Sequence, residues 1–470
     1  MSATRRTIVG GLLLLLGGCA SIDPAPDYAR AQDEARAATG AKALYQPGEE
    51  ERAREQVVEL LEGGLTSQEA VQVALLNNRA LRELLFEIGV RRADAVQAGL
   101  LSNPSLEALV RFPEGGGSST TEGGLVQNLI ELQYLPARKQ AAESHVERTV
   151  LDVAQRAVIV AAQAKAGYFT ALASRSALSV AEENLKTAQD FLELTLERQE
   201  AGATTQVDVN AARSTHLEQQ VLVRAAKFAA LDAKRRLALA LGIATPPEEI
   251  ELADALAAPP DHTLDLQRLL TVAHEHRLDL RSAAKNVEAT GSVVPLERQR
   301  KWRNVSGGLA FESEGGDLAL GPAIELELPI FDQNQAQIAK AEYRYAQALR
   351  RLEGVTANVG QQVRGAYERY AMAQDTARLY RTELLPLREA SLDLARESFA
   401  AGKTGFLSVL EAQDRLLATR REYVDRLEAV ALSIPDLEAA CGRPLEVLLG
   451  SDEEDCGGEP GAGPPHATAW

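Results

Sequence analysis

The chain contains two copies of one pattern, set two hundred residues apart. Segment 197–204 (ERQEAGAT) returns as 397–404 (ESFAAGKT), and matching leucines, valines and alanines extend the likeness on both sides. Agreement at one fixed shift over such a length is not compositional chance. The period far exceeds the ~20–50 residues of a solenoid repeat. The sequence therefore predicts two tandem half-domains that pack as pseudo-equivalent units.

The N-terminus predicts export and lipid attachment. Arg5 and Arg6 precede an apolar run that ends in Leu16-Gly17-Gly18-Cys19. This is the pattern of a secretory signal with a lipobox, and the run is shorter than the ~20 residues that a spanning helix needs. We predict a signal peptide over 1–18 and an N-terminal diacylglycerol and acyl lipid on Cys19, with a plain signal peptide as the alternative. Ala20 after the cysteine favours the outer membrane, as in the bacterial lipoproteins that this N-terminus resembles.

Composition excludes several function classes. The formal net charge is −17, which argues against a nucleic-acid partner because such partners require clustered Lys and Arg. No nucleophile elbow or phosphate loop occurs, and His274 and His276 are two residues apart on a predicted helix, where they do not share a face. We therefore predict no enzyme activity, no cofactor beyond the lipid and no metal site. Cys441 and Cys456 either form a disulfide, which the exported compartment permits, or stay as free thiols.

Local signals divide the mature chain into five segments. The segment 19–64 is polar and Ala-rich, and Thr66 or Ser67 with Glu69 then offers a capping box. A first repeat spans 65–256, a Pro-containing linker 257–263, and a second repeat 264–450. The tail 451–470 is acidic, Gly/Pro-rich and predicted to be disordered.

Most of the chain is predicted to be long helix. Between 137 and 200 there is no proline and only one glycine, so ~64 residues at 1.5 Å each could form a rod near 100 Å. The helices that follow the two Gly turns carry apolar residues at spacings of three, four and seven, which indicates coiled-coil seams. We interpret these seams as protein core: they consist of Leu217, Val221, Phe228 and Leu231 in the first repeat and Leu407, Leu410, Leu417, Val424 and Leu427 in the second.

Each repeat also contains a predicted β-hairpin, at 105–134 and 305–329, where apolar and polar residues alternate. The predicted apolar sides are Leu106, Ala108, Val110 and Phe112; Val126, Ile130, Leu132 and Tyr134; Val305, Leu309 and Phe311; and Ile324, Leu326 and Leu328. Membrane strands need ~9–11 residues with this alternation. Four strands cannot close a barrel, and an open edge in lipid leaves backbone groups unpaired. The pattern therefore predicts an oligomer that completes one barrel; the alternative is an ordinary amphipathic hairpin on a soluble body.

These features together resemble the TolC family of outer-membrane efflux channels. The more specific motifs are 74–82 (ALLNNRALR), 328–335 (LPIFDQNQ) and 402–411 (GKTGFLSVLE). The FDQNQ run further resembles heavy-metal exporters. The resemblance implies a mainly α protein with a small β part: a TolC-like trimeric β-barrel with four strands per chain, continuous with a long α-helical coiled-coil barrel that crosses the periplasm.

The resemblance also implies partners and residue roles. A homotrimer would act as a passive duct in a tripartite efflux or type I secretion system, with an inner-membrane pump and a periplasmic adaptor. The adaptor would dock on the helical tips, Gly202, Ala203 and Thr204 with Gly402, Lys403 and Thr404. Family gate positions match Glu411 and Ser408, so one carboxylate ring is expected from Glu411. Asp208 matches the acid of a closure link whose arginine is replaced here by Thr404, with Lys403 adjacent.

A different class remains as the alternative function: a periplasmic coiled-coil lipoprotein that acts as adaptor or envelope spacer without a pore. Alternating hairpins in both repeats favour the channel, because a spacer has no use for lipid-facing strands. The sequence does not determine the cargo, and drugs, metal ions, siderophores and secreted polypeptides all stay open.

Overall fold

The computed structural model describes residues 21–112, 114–257, 264–302, 304–314 and 316–450. The signal peptide, Cys19, Cys456, most of the linker and the tail 451–470 lie outside the described residues. The helices are α1 (Ala25–Thr39), α2 (Glu50–Leu61), α3 (Ser67–Asn77), α4 (Arg79–Ala98), α5 (Glu131–Glu200), α6 (Gln206–Leu241), α7 (Leu266–His276), α8 (Leu278–Gln299), α9 (Gln335–Leu379), α10 (Leu385–Ala400), α11 (Phe406–Cys441) and α12 (Leu445–Leu449). The strands are β1 (Ser105–Arg111), β2 (Thr120–Asn128), β3 (Val305–Glu314) and β4 (Asp317–Leu326).

The long helix of the first repeat is confirmed. Helix α5 runs unbroken for 70 residues, about 105 Å at 1.5 Å per residue. In the second repeat the same path is interrupted by a π-helical turn at Tyr380–Leu384, which ends two residues before Pro386. A proline inside a helix lacks its N–H and clashes with the carbonyl four residues earlier, and a local widening of the helix accommodates both defects.

The capping box that begins the first repeat is also confirmed. The Thr66 side chain accepts a hydrogen bond from the Glu69 amide, and the Glu69 carboxylate accepts one from the Thr66 amide at 2.9 Å. Helix α3 therefore begins where the sequence predicts.

The two hairpins join in one antiparallel sheet of order β1-β2-β3-β4. The β2–β3 ladder links the two repeats and runs from the pair Thr120–Glu314 to the pair Asn128–Ser306. Strands β1 and β4 are the open edges. The sheet thus has the same tandem organisation as the helices.

The second strand of the first hairpin was predicted wrongly. We predicted it to reach Tyr134, but β2 ends at Asn128 and α5 already begins at Glu131. Its phase is also shifted by one residue, so Val126 lies on the side opposite to the one predicted and Leu125 takes its place. A one-residue shift exchanges the two faces of a strand because side chains alternate.

The helices form a layer that continues from the sheet. Near the sheet, neighbouring helices follow one another in the order α4, α5, α8 and α9. Near the turns that follow α5 and α10, the order is α6, α5, α11 and then the continuous path of α9 and α10. The largest core lies where α1, α3, α4, α5 and α6 meet. Within the protomer, α6 and the α9–α10 path are the outer members of this layer.

One of the two predicted seams is not core in the protomer. On α11, Leu417, Val424 and Leu427 are buried as predicted, whereas Leu407, beside the tip, is 64% exposed and is not core. On α6, Leu217, Val221 and Phe228 are 54%, 64% and 66% exposed. These α6 residues have the spacing of a coiled-coil seam, but no described part of the protomer covers the stripe that Leu217, Val221 and Phe228 form.

An ionic cluster fastens α1 to the body of the first repeat. The Asp27 carboxylate is 1% exposed and binds the Arg92 guanidinium at 2.6 and 2.8 Å and also Arg30. Burial raises the pKa of Asp27, but the hydrogen bonds from Arg92 and Arg30 outweigh it, so the net pKa lies below its ordinary value. The stabilisation is therefore complete above the unfolded pKa of ~3.9 and is lost as pH falls through the lower folded pKa.

We expect Asp27→Asn to loosen α1. Breaking a buried pair costs about 3 kcal/mol, and here the Arg92 guanidinium, whose side chain is only 19% exposed, is left with Glu143 as its remaining ion-pair partner. Hydrogen exchange of α1 measures this opening, with Arg52→Ala as the control, because the exposed Arg52–Glu49 pair contributes at most ~1 kcal/mol. Equal protection of α1 in the two variants at pH 7 would contradict the assignment.

Two further features bear on the sequence predictions. Among the described residues, no helix combines the length and apolar character needed to cross a membrane. Cys441 is fully buried, which raises the pKa of its thiol to about 12. A disulfide with Cys456 and two free thiols both stay as alternatives, since Cys456 lies outside the described residues.

Candidate functional site

The sheet has one face without charged side chains. Residues paired across neighbouring strands form a row and share one face of the sheet, and every second row lies on the same face. The rows of this face begin at Leu106, Ala108 and Val110 on β1 and end at Pro322, Leu320 and Leu318 on β4. Most of its larger side chains are exposed, up to 82% for Ile324. An apolar sheet surface of this extent requires a cover outside the protomer.

The opposite face is acidic. Glu122 and Glu312 stand directly opposite each other across the β2–β3 ladder, and Glu107 lies two rows from them on the same face. Arg111 forms an ion pair with Glu122. The carboxylates of this acidic face are Glu107, Glu122, Glu312, Glu314, Asp317 and Glu325. The acidic face therefore carries six carboxylates and one arginine.

Between these carboxylates the acidic face carries small residues. One row reads Glu107, Gly124, Ala310 and Gly321 across the four strands, and another ends in Gly308 and Ala323. Small side chains keep the space in front of this face open. A sheet curved with this face inward would enclose a wide, negatively charged lumen.

Gly308 is required by its surroundings. A Cβ at this position would overlap the backbone carbonyl oxygen of Leu125 and lie 2.9 Å from the Cα of Val126. At Gly321, on the same face, a Cβ would meet nothing within 4 Å. The β2–β3 ladder therefore tolerates no side chain at Gly308.

The two tips have matching backbone geometry. Gly202 and Gly402 have φ angles of 72° and 69°, in the left-handed region that glycine adopts readily. The next amide donates to a carbonyl five residues back, at 2.8 Å from Ala203 and 2.9 Å from Lys403. Such turns terminate helices and reverse the chain. The structure therefore presents both predicted tips as exposed helix-to-helix turns.

Contacts between the two repeats join the regions next to the two tips. The Phe191 ring of α5 stacks on Phe406 with centroids 5.2 Å apart, and the Arg198 guanidinium lies 4.2 Å over the Phe399 ring. A cation over an aromatic face is attractive by about 0.5–2 kcal/mol. Neither contact was predicted from the sequence, because both depend on how the two repeats pack.

The predicted gate residues occupy one face of α11. Ser408 and Glu411 are both exposed and lie one turn apart. Asp414 follows one turn further, and partial burial with the nearby Glu218 carboxylate raises its pKa. Asp414 was not predicted from the sequence, although its i+3 spacing from Glu411 could have indicated it.

Asp208 caps α6 within its own tip. Its carboxylate accepts hydrogen bonds from the Thr205 amide at 2.9 Å and from the hydroxyls of Thr205 and Thr204. The hydrogen bonds from Thr205 lower the pKa of Asp208. Within the described protomer Asp208 forms no ion pair with Lys403, and Thr404 of the second tip is exposed. A closure link from Asp208 would have to compete with this cap.

The described residues contain no group of three or more His, Cys, Asp or Glu side chains arranged to hold a metal ion. His274 and His276 have separate partners: His274 Nδ1 lies 2.7 Å from the Leu270 carbonyl and His276 Nδ1 lies 3.2 Å from Arg443. Cys19, the predicted lipid site, lies outside the described residues.

Comparisons with known proteins agree with this architecture. The family model described as outer membrane efflux protein matches residues 70–243 and 269–443, one match in each repeat. The cobalt-zinc-cadmium resistance protein CzcC of Cupriavidus metallidurans is 25% identical over 315 residues, which cover 65% of this chain and 73% of that protein.

Solved structures share the fold. A membrane protein from Pseudomonas aeruginosa superimposes with a TM-score of 0.68 at 20% identity, covering 80% of this chain and 90% of the other. The open state of the Neisseria gonorrhoeae MtrE outer membrane channel gives a TM-score of 0.64 at 18% identity, covering 81% and 89%.

Proposed function

The chain belongs to the outer membrane efflux protein family, and we propose that three copies close into one passive duct for divalent metal cations. As a member of that family it is an outer membrane channel of a tripartite efflux system, extends into the periplasm and is not an enzyme. The spacer alternative loses its basis with this membership. The observation that carries the proposal is the sheet with one apolar and one acidic face.

Ring closure follows from the sheet edges. Strands β1 and β4 have unpaired backbone groups on their outer sides, and each such group costs several kcal/mol in lipid. Pairing β4 of one copy with β1 of the next removes every edge. Three copies give twelve strands, enough for an open lumen.

The two faces decide which side of the sheet faces the lipid. Apolar side chains such as Leu106, Leu309 and Ile324 are stabilised by contact with lipid hydrocarbon. A charged side chain on the lipid face costs up to ~2–4 kcal/mol at the bilayer midplane, and Glu122 and Glu312 would each cost that much or somewhat less. The acidic face therefore lines the lumen. It raises the local cation concentration without a dedicated chelating site, so that cargo is attracted and still released.

Divalent metal cations are the cargo that fits best. The acidic face suits a cationic cargo, and the likeness to a cobalt-zinc-cadmium resistance protein covers most of that relative. Export energy would come from an inner-membrane pump, because the chain has no nucleotide-binding motif. Glu411, Asp414 and Ser408 would line the periplasmic constriction, and Asp208 would stabilise its own tip there.

We expect the tips to bind a periplasmic adaptor. A photocrosslinker in place of Lys403 in living cells should capture that adaptor, since Gly402, Lys403 and Thr404 are exposed at the tip beside Gly202, Ala203 and Thr204. Mass spectrometry identifies the product, and the pump found with that adaptor indicates the cargo. The control is a crosslinker at Leu448, which is 4% exposed and far from the tip. Capture of only the protein itself at Lys403 would contradict docking there.

Lipid attachment at Cys19 would anchor the chain in the outer membrane beside its barrel. The support is the lipobox that ends at Cys19. Cells fed a palmitate analogue should label the wild-type protein and not Cys19→Ser. Equal label on both proteins would contradict the assignment.

A further inference from the structure

Three amide side chains are buried in the region where α5, α6 and α11 meet. Asn184 of α5 and Gln413 of α11 are 0% exposed, and Gln219 of α6 is 6% exposed. Asn184 Nδ2 donates a hydrogen bond to the Leu417 carbonyl oxygen at 3.3 Å. Among the described residues, Asn184 Oδ1, Gln219 Oε1 and both polar atoms of the Gln413 amide have no hydrogen-bond partner. Native proteins leave few buried polar groups unpaired, so this group requires an explanation.

The three amides lie at nearly the same level of the helix layer. On α11, Gln413 is one turn nearer the tip than Leu417, and on α5, Ala188 is one turn nearer the tip than Asn184. The Asn184–Leu417 hydrogen bond therefore places Gln413 level with Ala188. At 1.5 Å per residue, Ala188 lies about 18 Å from the end of α5 and Gln219 about 20 Å from the start of α6. Gln219 is therefore level with Ala188 as well.

Helices α5, α6 and α11 converge near this level. One apolar core beside the tips takes a side chain from each of them, namely Phe191, Ala212 and Val409. Further from the tips, burial and the nearby Glu218 carboxylate of α6 raise the pKa of Asp414 on α11, in agreement with the contact between these two helices. The residues next to this pair in sequence are Gln219 and Gln413. Both glutamines therefore lie near Ala188, whose small side chain leaves room between them.

The unpaired groups are suited to bind water. They comprise three acceptor oxygens and one donor, Gln413 Nε2. A water molecule both donates and accepts hydrogen bonds, so a pair of waters satisfies all of these groups. A cation would contact only the oxygens and leave the donor unpaired, and none of the three side chains carries a charge to balance it.

The fold itself does not require amides at these positions. At the shift of two hundred residues, the equivalent positions of the other repeat are Leu384, Thr419 and Arg213. Thr419 is also buried, but its hydroxyl donates to the Arg415 carbonyl oxygen of its own helix at 2.8 Å. The three amides are therefore a feature of the contact between the repeats and not of the repeat itself.

We propose that Asn184, Gln219 and Gln413 form one water-bridged amide layer that fixes the register of α11 against α5 and α6. In coiled coils a buried polar residue specifies register at a cost in stability, because a slip would place it among apolar side chains. Helix α11 carries Ser408 and Glu411, so the layer sets the height of both side chains. The inference goes beyond the proposed function, because the layer lies within one protomer and depends neither on the ring nor on the cargo.

A double-mutant cycle tests whether the amides share water. Gln219→Leu and Gln413→Leu should each speed hydrogen exchange in the first turns of α11 about tenfold, because each leaves buried polar groups of the layer unpaired. The double variant should exceed either single variant by only about threefold or less, since the first substitution already disrupts the bridge. Mass spectrometry of peptides from 406–417 in the detergent-extracted full-length protein measures the exchange.

The control pairs Gln219→Leu with Thr419→Val. Thr419 occupies the equivalent buried position of the second repeat but bonds its own helix, so these two effects should multiply. If the effects of Gln219→Leu and Gln413→Leu multiply in the same way, the shared layer is overturned. Exchange at the wild-type rate in either single variant overturns it too.

Photocrosslinking tests the register. Leu410→Met, which nearly conserves volume, adds a third methionine to Met1 and Met372, and growth with photo-methionine makes it reactive. Leu410 packs against the core that contains Phe191, so its crosslinks to α5 should fall in one short stretch near Phe191. With all three amides replaced by leucine, the crosslinks should divide between that stretch and one about seven residues away. The same single stretch in the triple variant would overturn the role in register.

The outcomes are separate from those of the proposed function. A protein that shows the expected cycle and crosslinks but forms no ring on a native gel contradicts the trimeric duct and leaves the amide layer standing. A ring together with multiplying effects in the cycle has the opposite meaning.

Discussion

Gly308→Ala is expected to reduce the assembled membrane form about tenfold or more. The added methyl would overlap the Leu125 carbonyl oxygen and crowd the Cα of Val126, so β2 and β3 would have to separate. Overpacking alone costs ~1–3 kcal/mol, and unpaired backbone groups in lipid cost several more. Because the β2–β3 ladder joins the hairpins of the two repeats, its loss opens the sheet.

Gly321→Ala is the matched control. Gly321 lies on the same face, but a Cβ there meets nothing within 4 Å. Heat-sensitive oligomer in detergent-extracted outer membranes measures both variants on one gel. Normal oligomer from Gly308→Ala, or equal loss from Gly321→Ala, would contradict the sheet register and the requirement for β2–β3 pairing.

Replacing both Glu122 and Glu312 with glutamine is expected to lower the potassium-to-chloride permeability ratio about tenfold. A carboxylate attracts a cation 4 Å away by about 1 kcal/mol in water-like surroundings, and more where the dielectric is lower. The double variant removes two carboxylates from every copy and leaves Arg111, now without its Glu122 partner, in the lumen. Reversal potentials under a salt gradient in a planar bilayer measure the ratio.

Three further measurements sharpen this result. Glu51→Gln removes an exposed periplasmic carboxylate and should leave the ratio unchanged. Glu411→Ala should reduce cation selectivity and also block by multivalent cations. In cells, Glu122→Gln with Glu312→Gln should raise the accumulation of cobalt, zinc or cadmium. Unchanged reversal potential in the double variant would exclude the acidic face as the lumen lining.

The sequence sufficed for features that depend on local chemistry. The Thr66–Glu69 capping box, the glycine turns and the long α5 helix follow from neighbouring residues alone. The alternation of β1, β3 and β4 also gave their faces correctly, since each strand carries its own apolar residues, but Phe112 and Leu328 lie just beyond the ends of β1 and β4.

The prediction of strand β2 failed because part of the apolar surface on its side of the sheet comes from side chains of the neighbouring strand. Gly123 and Gly124 give it little strand signal, and the Phe311 ring of β3 lies against Gly123. The nearby apolar residues Ile130 and Leu132 suggested a longer strand, but they belong to the turn and the first turn of α5. The pairing partner, which no local pattern reveals, decides the register.

The site was predicted in parts. The positions of the tips and of Glu411 follow from the repeat and the family resemblance, whereas the raised pKa of Asp414 beside Glu218 and the Arg198–Phe399 contact depend on packing between elements distant in sequence. The α6 stripe was recognised as a seam, but its spacing cannot distinguish a core within one chain from a contact between two chains.

The most direct test of the trimeric duct is a cryo-electron microscopy structure of the purified protein in lipid nanodiscs. We expect three copies in one twelve-stranded barrel, with β4 of each copy paired to β1 of the next and with Glu122 and Glu312 facing the lumen. Four-stranded sheets that stay separate, or a barrel with these glutamates facing lipid, would contradict the account.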